Sequence, residues 1–210
     1  FCRMNPITTL IFDLGGVIIN LKTEDEWLHQ DLLPHFQPDS LLQLQQAGYF
    51  RNLETGNVRP EDFLLQMQAI ATDKHATEKQ VKQHWNAILQ DIPSHRVELL
   101  QQLKQRYRLV LLSNTNSIHV ESFQRYMHRA FGEDILRANF HTVYYSQEIG
   151  LRKPTKETYE FVMQQQQLQP AEILFLDDKS ENLREPHNIG WQTFHVNFNE
   201  LSAAALQHLL

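Results

Sequence analysis

The sequence predicts an α/β fold: a doubly wound, Rossmann-like parallel sheet with a helical domain inserted after its first strand. Three observations lead there. Five short runs rich in aliphatic and β-branched residues are near-continuous apolar blocks rather than alternating ones, the pattern of strands covered on both faces. From the second run onward, strands alternate with helical patterns, which in a parallel sheet implies right-handed crossovers. Between the first and second runs, residues 22–92 hold helical patterns and no convincing strand.

Taken in order, the first strand is Thr9–Leu14, followed at once by Gly15 and Gly16. The insertion then offers three amphipathic segments, "DSLLQLQQAGYF", "PEDFLLQMQAIA" and "TEKQVKQHWNAIL". Asp39-Ser40, Pro60-Glu61-Asp62 and Thr77-Glu78 are their start signals, and "ETGNVRP" is a polar turn between two of them. A helix runs from Ser94 to Arg106, with Val97, Leu99, Leu100 and Leu103 in helical spacing, and leads into a strand over Leu109–Asn114. A third strand covers Thr142–Ser146. Pro154-Thr155 opens a helix carrying Tyr159, Phe161, Val162 and Met163, with "QQQQ" at Gln164 on its polar face. Strands at Ile173–Asp177 and Thr193–Asn197 complete the sheet. The expected division is a core of residues 1–21 and 93–210 and a helical cap of residues 22–92, with Trp27, Trp85 and Trp191 in hydrophobic cores.

Composition narrows the function. Hydrophobic residues are 41% and charged residues 21% of the chain, ordinary for a soluble globular protein. No apolar run approaches the ~20 residues that span a bilayer, and the opening residues show no signal-peptide core, so no membrane partner and a cytoplasmic location are expected. A formal net charge of -6 argues against nucleic-acid binding. Cys2 is the only cysteine, which excludes an intrachain disulfide and suits a reducing compartment. The 11 histidines are scattered, without metal-ligand spacing.

Four stretches carry possible chemistry, each with a plain alternative. In "LIFDLGGVIIN", Asp13 ends a buried strand, where α/β folds place ligands; an aspartate capping a turn is the plain reading. A nucleotide-cradling loop would need further glycines or a following lysine, which "GGVIIN" lacks. In "LVLLSNTNSIH", Ser113, Asn114, Thr115 and Asn116 offer donors to an anion at a strand end, or only a turn and a helix cap. In "SQEIGLRKP", Lys153 is a cation that could neutralise phosphate oxygens, or a solvated lysine. In "ILFLDDKSENL", Asp177 and Asp178 end a strand side by side, where two carboxylates repel unless a cation lies near, and an oxygen-rich site suits Mg²⁺; the alternative is a turn with two surface acids. Their order decides between these readings: Asp, Ser/Asn, Lys and Asp-Asp each fall at a strand's C-terminal end, and in a parallel sheet those ends share one edge.

On these motifs the sequence resembles the haloacid dehalogenase superfamily of aspartyl phosphohydrolases across essentially its whole length. "FDLGGVI", "LSNTN..H", "S.E.G.RKP" and "FLDD...N" are similar to the branch that hydrolyses sugar phosphates such as α-D-glucose 1-phosphate. The resemblance implies an enzyme that hydrolyses a small phosphorylated metabolite with Mg²⁺ as cofactor. It implies that Asp13 is the nucleophile, that Ser113 and Asn114 bind the phosphoryl group, and that Lys153 neutralises it and orients Asp13. It further implies that Asp178 holds the metal with Asp13 and the Gly15 carbonyl, that Asp177 is an auxiliary acid, and that Asn182 supports the carboxylates.

The sequence departs from the family at one place. Most phosphatases of the superfamily read D-x-D in the first motif, and here the second aspartate is Gly15. General acid–base help of this kind is worth roughly 10²–10⁴-fold. A sugar 1-phosphate, whose anomeric oxygen leaves readily, suffers least from the missing acid. A 2-haloacid dehalogenase, which lacks that aspartate and needs no metal, and a catalytically impaired phosphometabolite-binding protein are the alternatives. Substrate choice falls to the cap, with Tyr49, Phe50, Arg51 and Glu54 as candidate contacts.

Overall fold

A computed structural model describes residues 7–207; Cys2 lies outside them. Five parallel strands, β1 (Thr9–Phe12), β2 (Arg108–Ser113), β3 (Thr142–Tyr145), β4 (Ile173–Asp177) and β5 (Gln192–His195), form one sheet in the order β3-β2-β1-β4-β5. The chain therefore starts at the centre and winds outward in both directions, the doubly wound topology the sequence predicts. Strand order reverses beside β1, and such a switch point opens a crevice at the strands' carboxyl ends.

Alternate residues of the three central strands enter opposite cores. Leu10, Phe12, Leu109, Leu111, Leu174 and Leu176 join one cluster, while Ile11, Val110, Leu112, Ile173 and Phe175 join the other. Both faces are covered by helices, so β1, β2 and β4 are apolar between their end residues, and each fully buried Leu, Ile or Phe contributes about 1.5–3 kcal/mol. The outer strands differ from the expectation of two covered faces. Only Tyr145 of β3 is buried, and no residue of β5 is. Each has a neighbour on one side only.

The helices of the insertion are α1 (Glu24–Trp27, running on into a π turn over Leu28–Leu32), α2 (Pro38–Gln46), α3 (Tyr49–Glu54), α4 (Pro60–Ala69) and α5 (Glu78–Asn86). Thr23 and Thr77 build capping boxes with Glu26 and Gln80. The segment read as one helix from Asp39 to Phe50 is two, broken at Gly48, whose φ of +72° belongs to the left-handed region. These helices bury their own cluster around Phe36, Leu53, Phe63, Met67 and Trp85, which also takes in Ile118. Trp85 and Trp191 are buried and Trp27 is half-buried.

Two chain crossings connect this helical unit to the sheet domain, and they pair. Leu21 lies opposite Leu89 in an antiparallel bridge. Asn20 N–H donates to Asp91 O, Lys22 N–H to Ile88 O and Gln90 N–H to Asn20 O, each at 2.9 Å. Then follow α6 (Ser94–Lys104), α7 (Ser117–Phe131), α8 (Ile135–Asn139), α9 (Ser146–Ile149), α10 (Lys156–Gln166), α11 (Ser180–Asn188) and α12 (Ala203–Leu206). Among the described residues, no helix is long and apolar enough to cross a membrane.

Candidate active site

Strand register assembles the site. Phe12 pairs with Leu176, so the next residues, Asp13 and Asp177, leave the sheet side by side, and Asp13 N–H donates to Leu176 O at 2.9 Å. Phe12 also pairs with Leu111, which brings Ser113 to the same edge one residue further on. Lys153 reaches in from the loop after α9 and is 1% exposed. Its Nζ lies 2.7 Å from Asp13 Oδ1 and 2.6 Å from Asp177 Oδ2, and it stands 5.4 Å from the centre of the Phe175 ring. One oxygen each of Asp13, Asp177 and Asp178 fall within 4.8 Å of one another.

The three carboxylates are not equivalent. Asp177 is fully bonded: Lys179 N–H (2.8 Å) and Asn182 Nδ2 (3.0 Å) donate to Oδ1, while Lys153 and Asn182 (3.1 Å) donate to Oδ2. Asp178 has Oδ1 buried with no partner. Burial pushes the Asp13 carboxyl up to about 7, and Asp177 and Asp178 add to this against the opposing pull of Lys153. Burial and then Asp177 raise Asp178 in the same direction. Lys153 keeps its proton: burial works against the charge, but Asp13 and Asp177 outweigh it and hold the pKa above the usual lysine value. Among these side chains one buried cation faces three carboxylates, and the unmet charge falls on Asp13 and Asp178. An orphaned buried carboxylate oxygen beside another carboxylate whose ionised form is disfavoured fits a hard dication with oxygen ligands.

Asn114, a candidate phosphoryl-binding residue, commits its side chain to the backbone of Lys153. Its amide Nδ2 donates to Lys153 O and its Oδ1 accepts from Lys153 N–H, both at 2.9 Å. The side chain thus fixes the backbone of the lysine. Ser113 is buried at the strand end, and Ser146, which no spacing marked as important, bonds both backbone groups of Thr115, at 3.0 Å and 3.1 Å. Asn116 caps α7 by accepting from Ile118 N–H and His119 N–H.

The glycine flap after Asp13 is shaped by what fills the space beside it. Gly15 bridges Ile19 through Leu14 O and Gly16 N–H, so the Gly15 carbonyl takes no part in that bridge. A side chain on Gly15 would begin 2.7 Å from Leu21 Cδ1. Gly16 has φ +72°, and a Cβ there would lie 2.7 Å from the Phe198 ring and 2.8 Å from Asp178 Oδ2.

Of the candidate cap contacts, Tyr49 and Phe50 are held in aromatic packing against Phe63, and Phe50 also against Trp85. Arg51 is exposed. Glu54 reaches the sheet domain, accepting from Arg152 Nη2 at 2.9 Å and Nε at 3.0 Å. A second ion pair, Lys179–Glu24 at 2.7 Å, also joins the two units and was not foreseen from sequence.

The model of the haloacid dehalogenase-like hydrolases matches residues 7–185. The chain belongs to that family. As a haloacid dehalogenase-like hydrolase it is an enzyme of the class the motifs predict. It is 27% identical over 189 residues to a D-ribitol-5-phosphate phosphatase of Bacteroides thetaiotaomicron, covering 90% of this chain and 91% of that one. A HAD family enzyme of the same organism, solved with magnesium and inorganic phosphate, superposes with a TM-score of 0.82 at 28% identity, over 96% of this chain and 100% of that one. A HAD-like hydrolase of Porphyromonas gingivalis gives 0.81 at 28% identity, over 97% of each chain.

Proposed function

We propose that this hydrolase is a Mg²⁺-dependent phosphomonoesterase for a small sugar or polyol phosphate, with residues 22–92 acting as the cap that selects the substrate. The observation that carries the reading is the cluster of buried Asp13, Asp177 and Lys153 with half-buried Asp178, whose Oδ1 is unpartnered. In this reading Asp13, Asp178 and the Gly15 carbonyl hold Mg²⁺. The ion supplies positive charge against the carboxylates and the phosphoryl oxygens. Asp13 attacks phosphorus, the bond to the ester oxygen breaks, and the leaving oxygen departs as an alkoxide that takes its proton from water, since position 15 carries no acid. Water then hydrolyses the aspartyl phosphate, releasing inorganic phosphate and restoring Asp13. Lys153 fixes the Asp13 carboxylate and shares the charge of the transferring group, which in phosphoryl transfer matters more than covalent assistance. Ser113 lines the phosphoryl pocket. Asn114 serves it by holding Lys153, and Asp177 with Asn182 anchors the lysine from the other side.

The substrate class rests on two supports. The sugar-phosphate likeness of the motifs favours glucose 1-phosphate, and the relative named for D-ribitol 5-phosphate favours a polyol phosphate. These differ in leaving group, an anomeric oxygen against a primary alkoxide, and Gly15 supplies no acid to either. The test is phosphate release from both esters, an alkyl phosphate and an aryl phosphate, with Mg²⁺ or a chelator, with Asp13→Asn as control. Release that disappears with the chelator and in the variant is the expected result. Metal-independent halide release from a 2-haloacid would instead place the chain with the dehalogenases. Binding of the esters without turnover would make it a metabolite-binding protein.

A further inference from the structure

The family match ends at residue 185, but the flap beside Asp13 is held by a loop beyond it. After β5 the chain passes through Phe198 and Asn199 to the buried Leu201. Asn199 has φ +62°, a left-handed conformation that asparagine tolerates better than most residues. From there its backbone N–H donates to Gly16 O at 2.7 Å. Its side-chain oxygen accepts from Leu21 N–H at 3.0 Å, and its amide donates to Leu21 O at 2.8 Å. Its own carbonyl accepts from Arg96, a buried guanidinium that also donates to Ile18 O at 3.2 Å and Leu201 O at 3.3 Å.

These bonds complete the pairing of the hinge. Leu21 faces Leu89 in a pair whose hydrogen bonds are made by the flanking residues Asn20 and Lys22. In an antiparallel ladder the N–H and C=O of such a residue point away from the partner strand. Asn199 meets both, so a single side chain stands where a third strand would. Leu21 is also the residue whose side chain fills the space beside Gly15.

We infer that Asn199 is a positioning residue: it pins the flap at Gly16 and the hinge at Leu21. Movement of the helical unit therefore begins at Lys22 and leaves Gly15, Gly16 and Asp13 in place. The consequence for turnover rests on the phosphatase reading; the pinning itself does not.

The test compares Asn199→Gly, which accepts the left-handed backbone and loses both side-chain bonds, with Asn199→Asp, which keeps the acceptor for Leu21 N–H. Three readouts are taken: amide exchange across residues 15–21, the thermal shift caused by Mg²⁺ alone, and kcat and KM. In Asn199→Gly the Leu21 amide is expected to exchange about tenfold faster or more, from the loss of two bonds, with β2 and β4 unchanged. The Mg²⁺ shift should shrink and kcat should fall about tenfold with a smaller change in KM. Asn199→Asp should change in the same direction, because its second carboxylate oxygen would face the Leu21 carbonyl where the amide now donates at 2.8 Å, and it carries the test if the glycine variant does not fold. Unchanged Leu21 exchange would overturn the inference. So would a general rise in exchange with a lower Tm and an unaltered kcat and Mg²⁺ shift, because that marks a merely structural loop. If the wild-type protein hydrolyses no phosphate ester, the phosphatase reading fails, and exchange and the Mg²⁺ shift still decide the role of Asn199.

Discussion

Replacing Asp13 with asparagine is expected to abolish turnover and, in the absence of metal, to stabilise the protein. The carboxyl is held at about 7 in the folded chain against an ordinary 3.8. The folded state therefore binds this proton more tightly than the unfolded state, and native stability is lost as pH rises from about 4 to about 7 and stays lost above that. At about 1.4 kcal/mol per tenfold change in proton affinity, the ionised carboxylate destabilises the fold by about 4 kcal/mol at pH 8 and by about 1 kcal/mol at pH 4.5. Asparagine is neutral in both states and removes that term. It can still accept from Lys153, which retains Asp177. For a chain of this size the difference at pH 8 corresponds to a rise in Tm on the order of 10 °C. The assay is thermal unfolding of both proteins in chelator at pH 4.5, 6 and 8, repeated with Mg²⁺, which should raise the wild-type Tm more than that of the variant. A variant no more stable than wild type in chelator at pH 8, or a gap that widens towards pH 4.5, would refute the electrostatic reasoning.

Three other experiments probe the surroundings. Gly16→Ala puts a Cβ between the Phe198 ring and Asp178 Oδ2 at a φ of +72°; the backbone alone costs about 1–2 kcal/mol, and urea unfolding with an Mg²⁺ titration should show lower stability and weaker metal dependence. Gly15→Asp must displace Leu21 Cδ1, so Gly15→Asp with Leu21→Ala should outperform Gly15→Asp alone, with gains on alkyl phosphates of up to about 10²-fold. Smaller gains are expected on glucose 1-phosphate, and equal gains would count against the leaving-group argument. A double-mutant cycle on Glu54 and Arg152, half-buried partners at 2.9 Å, should give a coupling of about 0.5–1 kcal/mol in urea unfolding.

What the sequence made legible follows from where each constraint is recorded. β1, β2 and β4 are apolar on both faces, so their runs stood out and their ends located Asp13, Ser113 and Asp177. The break at Gly48 had a local cue, a glycine within a helical pattern, that the amphipathic spacing on either side concealed. Asn114 was readable as a polar residue at a strand end, but not its commitment to the Lys153 backbone, since that loop lies 39 residues away. Asn199 and Arg96 gave no signal at all. Their work is hydrogen bonding to backbone groups 178 and 78 positions distant, and a backbone carbonyl places no demand on the residue type that carries it.

The same division explains why the site holds more negative charge than its lysine can balance. Burying a carboxylate is unfavourable unless donors or cations replace its hydration. The fold supplies this in full to Asp177, through Lys153, Asn182 and the Lys179 N–H, and a rigid base results. It gives Asp13 one cation and leaves Asp178 Oδ1 without a partner. Neutral residues at these two positions would make a more stable metal-free protein, the usual relation between a strained site and the stability of its fold. A fully neutralised site, however, would gain nothing from binding a dication, because no unmet carboxylate charge would remain for the ion to balance. The unmet charge on Asp13 and Asp178 is the part of the architecture that favours metal binding, and the bonded base beneath it keeps the two carboxylates from relaxing apart.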